Sequence, residues 1–141
     1  MKRIFSTTIN NNGVNTWLLL ARIAVGAFML THGIPKLQKL LGGDMQFADP
    51  LGIGSTPSFL LVVFAEVVCS ILLMLGLATR FASVVLIINM CVAAFVAHAG
   101  QPFGKKELSL LFLVFFMGFC IIGGGRYAVD NLISGKGKNR Y

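Results

Sequence analysis

Charged residues are scarce in this chain: Asp, Glu, Lys and Arg make up 12% of its 141 residues, against about 25% in soluble domains. Because 56% of the residues are hydrophobic, the composition excludes an ordinary soluble domain and predicts a membrane protein. Among the charged residues, the five Asp and Glu are fewer than the twelve Lys and Arg, so the net charge is +7. This charge does not indicate nucleic-acid binding, because no basic stretch alternates with aromatic residues that could stack on bases.

Motifs for cofactors and metals are also lacking. The three cysteines, Cys69, Cys91 and Cys120, lie far apart and form no CxxC pair, which argues against a clustered metal site. No glycine-rich loop follows a strand and opens a helix, as a nucleotide-binding motif would require. The sequence therefore predicts no metal and no nucleotide cofactor. It contains no stand-alone catalytic motif, so whether the protein is an enzyme stays open.

Four apolar runs are long enough to cross a bilayer, which takes about 20 mostly apolar residues. They lie at residues 17–36, 58–79, 81–99 and 108–125. Because most of the connections are short, this pattern predicts an all-α, polytopic transmembrane protein: an antiparallel four-helix bundle that forms one domain over residues 1–133. Residues 37–57 are predicted to form an outer loop that packs over the mouth of the bundle. Residues 134–141 are predicted to be a flexible basic tail.

The distribution of Lys and Arg predicts the orientation of the four spans. The side that would hold both termini carries seven of these residues and the other side carries four, while Arg22 lies within a span. By the positive-inside rule, this excess places both termini in the cytoplasm.

Two ionisable residues interrupt the apolar runs: Arg22 in the first and Glu66 in the second. A charge in the hydrocarbon core costs at least about 2.5 kcal/mol, so such groups usually face a bundle interior and often serve a function. Helical spacing places Arg22 on one face, expected to face the bundle, with Gly26, Met29, Gly33 and Lys36. Other interpretations stay open: Arg22 could reach lipid phosphates, and Glu66 could be a paired or protonated structural group.

The alternating direction of the spans brings several polar residues together in the outer half of the bundle. They are His32, Lys36, Glu66, His98 and Glu107. These five are predicted to form a ligand or proton site. Arg22 lies toward the inner side, which disfavours a direct pair with Glu66, and Arg80 at a helix end is assigned with Arg22 to an internal polar or structural role. Two histidines alone are weak evidence for haem, which is disfavoured.

These residues, in this order, resemble the DoxX/DoxD family of four-helix membrane proteins, over about residues 16–133. The resemblance rests on an ordered set of short motifs: Arg22 with Gly26, His32-Gly33-x-x-Lys36, Leu51-Gly-Ile, Glu66, Leu75-Gly-Leu-Ala-Thr-Arg80, Glu107, and Gly123–Gly125 leading to Tyr127 and Asp130. It implies a small protein of the bacterial inner membrane, in some members a subunit of a thiosulfate:quinone oxidoreductase or a partner in redox assemblies. It also supports five of the site residues: Arg22, Lys36, Glu66, Arg80 and Glu107.

The first functional hypothesis is a redox-associated subunit that binds a quinone or a similar lipophilic molecule in the outer-half pocket. Glu66 and His32 would exchange protons with its oxygens, and Lys36 would stabilise negative charge. The alternative is a non-catalytic scaffold that anchors or assembles a partner enzyme. A carrier of small solutes is less favoured, because four short spans offer little machinery for alternating access. The expected partners are the lipid bilayer, a redox protein and further copies of the chain, but not nucleic acid.

Overall fold

The protein is described by a computed structural model over residues 9–134, so the predicted tail lies outside the described residues except for Ser134. Within this range the chain is all-α, as predicted, and contains no strand. Four long helices are followed by one short helix: α1 Asn11–Leu41, α2 Ser55–Leu75, α3 Thr79–Ala97, α4 Phe103–Ile122 and α5 Val129–Ile133.

Three helices, α1, α2 and α3, are long and apolar enough to cross a membrane, which implies contact with a lipid bilayer. The fourth helix differs at its beginning. Its first turns carry Lys105, Lys106 and Glu107, so that the apolar stretch of α4 is confined to residues 108–122. A fourth span therefore stays a prediction.

The first helix contains Pro35 and continues to Leu41, beyond residue 36, where the sequence predicted the end of the first span. Proline removes one backbone hydrogen bond and crowds the preceding turn, at a cost of about 3 kcal/mol. Continuation places Leu37 and Leu40 against the buried side chains of Phe59 and Val63 in α2, and this burial offsets the cost. The connection to α2 is consequently shorter than the predicted loop, since it covers residues 42–54 rather than 37–57.

Part of this connection packs on the helices, and part remains exposed. The ring of Phe47 stacks on that of Phe59 with 4.9 Å between centroids. Asp49 accepts hydrogen bonds from the backbone of Ile53 and Gly54 and from the hydroxyl of Ser58, so it anchors the beginning of α2. Other apolar side chains of the predicted outer loop are exposed: Met45, Leu51 and Ile53.

Helix α1 lies close against α2 along its stripe of small residues. Arg22, Gly26, Met29 and Gly33 are all buried, as the helical spacing predicted. A Cβ atom on Gly33 would lie 2.9 Å from the carbonyl oxygen of Glu66, nearer than real contacts allow. Glycine is therefore needed at this position for the backbones to approach, and the approach brings Lys36 beside Glu66.

Candidate functional site

The centre of the candidate site is an ion pair between α1 and α2. The Lys36 ammonium lies 2.5 Å from Oε1 and 2.6 Å from Oε2 of Glu66. The amide of Asn89, from α3, also donates to Oε1 over 3.4 Å. The Glu66 side chain is only 6% exposed, whereas that of Lys36 is 31% exposed. A carboxylate in an apolar helix is thus satisfied by two neighbouring helices, and its cation faces an opening.

Helices α2 and α3 both change from α-helical to π-helical winding near the site. Residues Phe64–Cys69 of α2 and Val92–Ala97 of α3 are π-helical. Glu66 lies within the first segment, and His98 directly follows the second. An extra residue in a turn rotates the side chains that follow it, and such turns are frequent at functional sites. A constant period of 3.6 residues, as used for the sequence, cannot reveal this change.

A polar cavity of about 210 Å³ opens beside the pair. Three of the predicted residues besides Glu66 line it, namely His32, Lys36 and His98, together with Lys105, Ser109 and an apolar wall. The wall consists of Met29, Met90, Ala93, Leu108 and Phe112. His98 Nδ1 is buried and has no hydrogen-bond partner within residues 9–134. Beyond the Lys36–Glu66 pair, the cavity is therefore lined by the imidazoles of His32 and His98 and by a second ammonium group, that of Lys105.

The structure does not bring Glu107 together with the other four predicted residues. Four residues of α4 line the cavity: Lys105, Leu108, Ser109 and Phe112. Leu108 and Ser109 lie three and four residues after Lys105, and Phe112 lies one further turn along the same face. Glu107 is two residues after Lys105, on a different face, and is exposed. Height in the membrane does not specify the rotation of α4, and in the structure Lys105 rather than Glu107 lines the cavity. Lys105 and Asn89 were not among the predicted site residues. The signal that could have identified them is that both are polar residues in or beside apolar runs.

An apolar groove of about 630 Å³ runs along the outside of the molecule between α1 and α4. Trp17 stacks on Phe115 toward the N-terminal end of α1, with 6.4 Å between ring centroids. Toward the C-terminal end of α1, the His32 ring meets Phe112 edge to face at 6.2 Å. His32, Leu108 and Phe112 line both this groove and the polar cavity. The two spaces are therefore neighbours that share part of their walls.

Arg22 and Arg80 lie away from this cavity. The fully buried Arg22 donates to the carbonyl oxygens of Leu73, at 3.5 Å, and Tyr127, at 3.3 Å. Arg80 is exposed and donates over 3.4 Å to the carbonyl of Ile121, near the end of α4. Both cations thus contact backbone carbonyls, and the ion-pair partner that the described residues provide for Glu66 is Lys36.

Asp130 of α5 joins the end of α2 to the beginning of α3. Its carboxylate accepts hydrogen bonds from the backbone N–H of Ala78, at 2.7 Å, and of Thr79, at 2.8 Å. Its own N–H donates to the carbonyl of Gly76. Ala78 has a positive φ of 48°, so Asp130 stabilises a strained turn and caps α3 from another part of the chain.

The donor set for a metal is sparse. Within residues 9–134 no three His, Cys, Asp or Glu side chains are close enough together to hold a metal ion. The chemistry that the cavity offers is hydrogen bonding, charge stabilisation and proton exchange, from one carboxylate, two imidazoles and two ammonium groups.

Comparison with known proteins places the chain in a family. The model of the DoxX family matches residues 17–99. An uncharacterized protein of Haemophilus influenzae is 34% identical over 126 residues, which cover 82% of this chain and 89% of that protein. A Bacillus subtilis protein named "Putative oxidoreductase CatD" is 30% identical over 131 residues, covering 91% and 94% of the two chains. No solved structure matches the chain significantly. This protein belongs to the DoxX family.

Proposed function

We propose that this protein is a redox-associated membrane subunit that binds a quinone or a similar lipophilic molecule in the cavity beside Lys36 and Glu66. The observation that carries the proposal is an ion pair with a nearly buried carboxylate, which lines a polar cavity whose neighbour is a large apolar groove. A few convergent polar groups in apolar surroundings are typical of small-molecule sites. The oxidoreductase name of the Bacillus subtilis relative agrees with a redox role.

The residues of the cavity suit the chemistry of a quinone. Reduction to the quinol takes two electrons and two protons. The protein itself has no recognisable electron-carrier motif, so the electrons would come from a partner redox protein. Glu66 and His32 would exchange protons with the two ring oxygens, Glu66 passing on a proton that it first takes up, and Lys36 would stabilise negative charge on an oxygen as it develops. The imidazole of His98, which lines the cavity, would hydrogen-bond the bound ring.

The proposal includes a membrane arrangement. The four helices α1 to α4 would form an antiparallel transmembrane bundle, folded as one domain, in the bacterial inner membrane. Two features support α4 as a fourth span: Phe112, Phe116 and Phe119 are buried in the same core as α1, α2 and α3, and its apolar stretch is continuous. The excess of Lys and Arg near both termini favours a cytoplasmic location for them and an outer location for the cavity.

The test is native mass spectrometry of the protein extracted gently from its own membrane. The wild-type protein is expected to retain a quinone, and Glu66→Gln and His98→Ala are expected to lose it. Glu107→Gln is the matched control, because it changes a second glutamate that is exposed and outside the cavity. Equal quinone retention in all four proteins would contradict this site.

The same spectra test the main alternative. A companion protein present in stoichiometric amount, with no small molecule in any sample, would support the non-catalytic scaffold instead. A companion protein together with a quinone would support a subunit of a larger redox complex.

A further inference from the structure

We infer that the ligand is a single amphiphilic molecule, with a hydrogen-bond-accepting head in the polar cavity and a hydrocarbon tail in the groove between α1 and α4. This inference rests on the proposed function, because it assigns a second part to the same ligand. It adds a tail site that the head-group chemistry does not require.

The first support is that the two spaces adjoin. His32 and Phe112 line both of them, and their rings meet edge to face at 6.2 Å. A molecule whose head lies among Lys36, His98 and Lys105 therefore has the groove directly beside it. From His32 the groove follows α1 inward to Trp17, which is about 22 Å along a helix axis.

The second support is the composition of the groove. Its wall is formed from α1 by Leu20, Ala24 and Phe28, and from α4 by Leu111 and Phe115. Leu20, Phe28 and Leu111 are each more than half exposed in the isolated chain. Within a bilayer this surface opens directly to the hydrocarbon region, so a tail can enter from the side without passing through water.

The third support is the chemistry at the head end. Lys36 is already paired with Glu66, but His98 Nδ1 has no partner among the described residues, and Lys105 adds a further ammonium group to the lining. The ammonium groups favour an acceptor oxygen or an anion in this cavity. A helix of a second copy could cover the groove but would place no such oxygen among them, whereas one amphiphile with a carbonyl or anionic head fills both spaces.

The experiment compares two probes on the full-length protein in lipid nanodiscs. One is a benzoquinone with a long alkyl tail that is brominated at its far end, and the other is the same ring without a tail. Binding is measured by titration calorimetry, and contact of the bromine with Trp17, the only tryptophan in the sequence, is measured by fluorescence quenching. We expect saturable quenching that an unbrominated competitor reverses.

Two substitutions test the groove without disturbing the core. Ala24→Phe and Leu111→Trp each fill it from one wall, and both positions are exposed. In the calorimetry, each should weaken binding of the tailed quinone about tenfold, as the loss of about ten van der Waals contacts between tail and groove would, and should leave binding of the tailless ring unchanged. Ile23→Phe is the matched control, since it enlarges an exposed residue of α1 outside the groove.

The outcomes separate the two proposals. If Glu66→Gln weakens binding of both probes while Ala24→Phe and Leu111→Trp change neither, the head site stands and the tail site is wrong. If neither probe binds the wild-type protein, the proposed function falls and the tail site falls with it. If the groove substitutions convert a dimer into a monomer without affecting binding, the groove is an interface between copies and the inference is overturned.

Discussion

The ammonium group of Lys36 contacts both carboxylate oxygens of Glu66, at 2.5 and 2.6 Å, and so joins the C-terminal part of α1 to the middle of α2. Charge-assisted hydrogen bonds of this kind are short, and they hold geometry as well as charge. Because the Glu66 carboxylate is nearly buried, the stability of the fold depends on its pairing with Lys36. Removal of either residue leaves the charge of the other uncompensated.

A double-mutant cycle should reveal this dependence. Lys36→Met is expected to lower the free energy of unfolding by about 3 kcal/mol, because it leaves a buried carboxylate unpaired. Adding Glu66→Gln to Lys36→Met should restore at least half of the loss, since no charge then remains to be buried. The measurement is thermal or denaturant unfolding in one detergent. Strictly additive losses would contradict a coupled pair.

Substitution of Gly33 should disturb the site by moving α1 away from the backbone of Glu66. In Gly33→Ala the new methyl group would lie 2.9 Å from the Glu66 carbonyl oxygen and from Val67 Cγ2, so α1 must move away from α2. We expect a loss of about 1 to 3 kcal/mol in stability, together with weaker ligand binding. Gly118→Ala is the control, because a Cβ at that α4 position meets nothing within 4 Å. It should be neutral or stabilising by up to about 1 kcal/mol.

Arg22 should matter far more to stability than Arg80. The buried Arg22 bonds two carbonyls with two different nitrogens, a geometry that a single ammonium group does not reproduce. Arg22→Lys is therefore expected to cost about 1 to 3 kcal/mol. Arg80→Lys, at an exposed position, should change stability by less than about 0.5 kcal/mol. Unfolding transitions that shift equally in the two variants would contradict the assignment of Arg22 to the interior.

Asp130 should make stability depend on pH. Burial acts to raise the pKa of Asp130, but the backbone hydrogen bonds from Thr79 and Ala78 and the charge of Arg22 outweigh it, so the pKa lies below its usual value. A lowered pKa stabilises the fold above the unfolded value of about 3.9, and this contribution is lost as pH falls through the folded value. The melting temperature should therefore decline below about pH 4.

Two variants of Asp130 isolate this contribution. Asp130→Ala removes a helix cap and should cost about 1 kcal/mol at neutral pH. Asp130→Asn retains an acceptor oxygen but not the charge, so it should cost less and should reduce the slope of melting temperature against pH in the acid range. If the slope were the same in wild type and Asp130→Asn, other carboxylates would be responsible for it.

Several features of the fold could be predicted from local sequence. The helices α1, α2 and α3 follow from long apolar runs, and the buried stripe of α1 follows from the spacing of Arg22, Gly26 and Gly33. The end of α1 could not be predicted in this way. The cost of Pro35 is offset because Leu37 and Leu40 pack on α2, a contact between distant parts of the chain.

The candidate site was predictable only in part for a similar reason. Heights along alternating helices were enough to bring Lys36, Glu66, His32 and His98 to the same end, and the cavity contains all four. The rotation of α4 was not accessible in this way, so Glu107 was chosen where Lys105 lines the cavity.

The sequence by itself determined that this is an all-helical membrane protein with charges inside its apolar segments, because hydropathy and charge are properties of each segment alone. Only the tertiary structure decided which charges meet. That depends on the close approach of α1 and α2 at Gly33, on the π-helical turns that rotate the residues after them, and on the packing that orients α4. Each of these arises from contacts between helices, which no single segment contains.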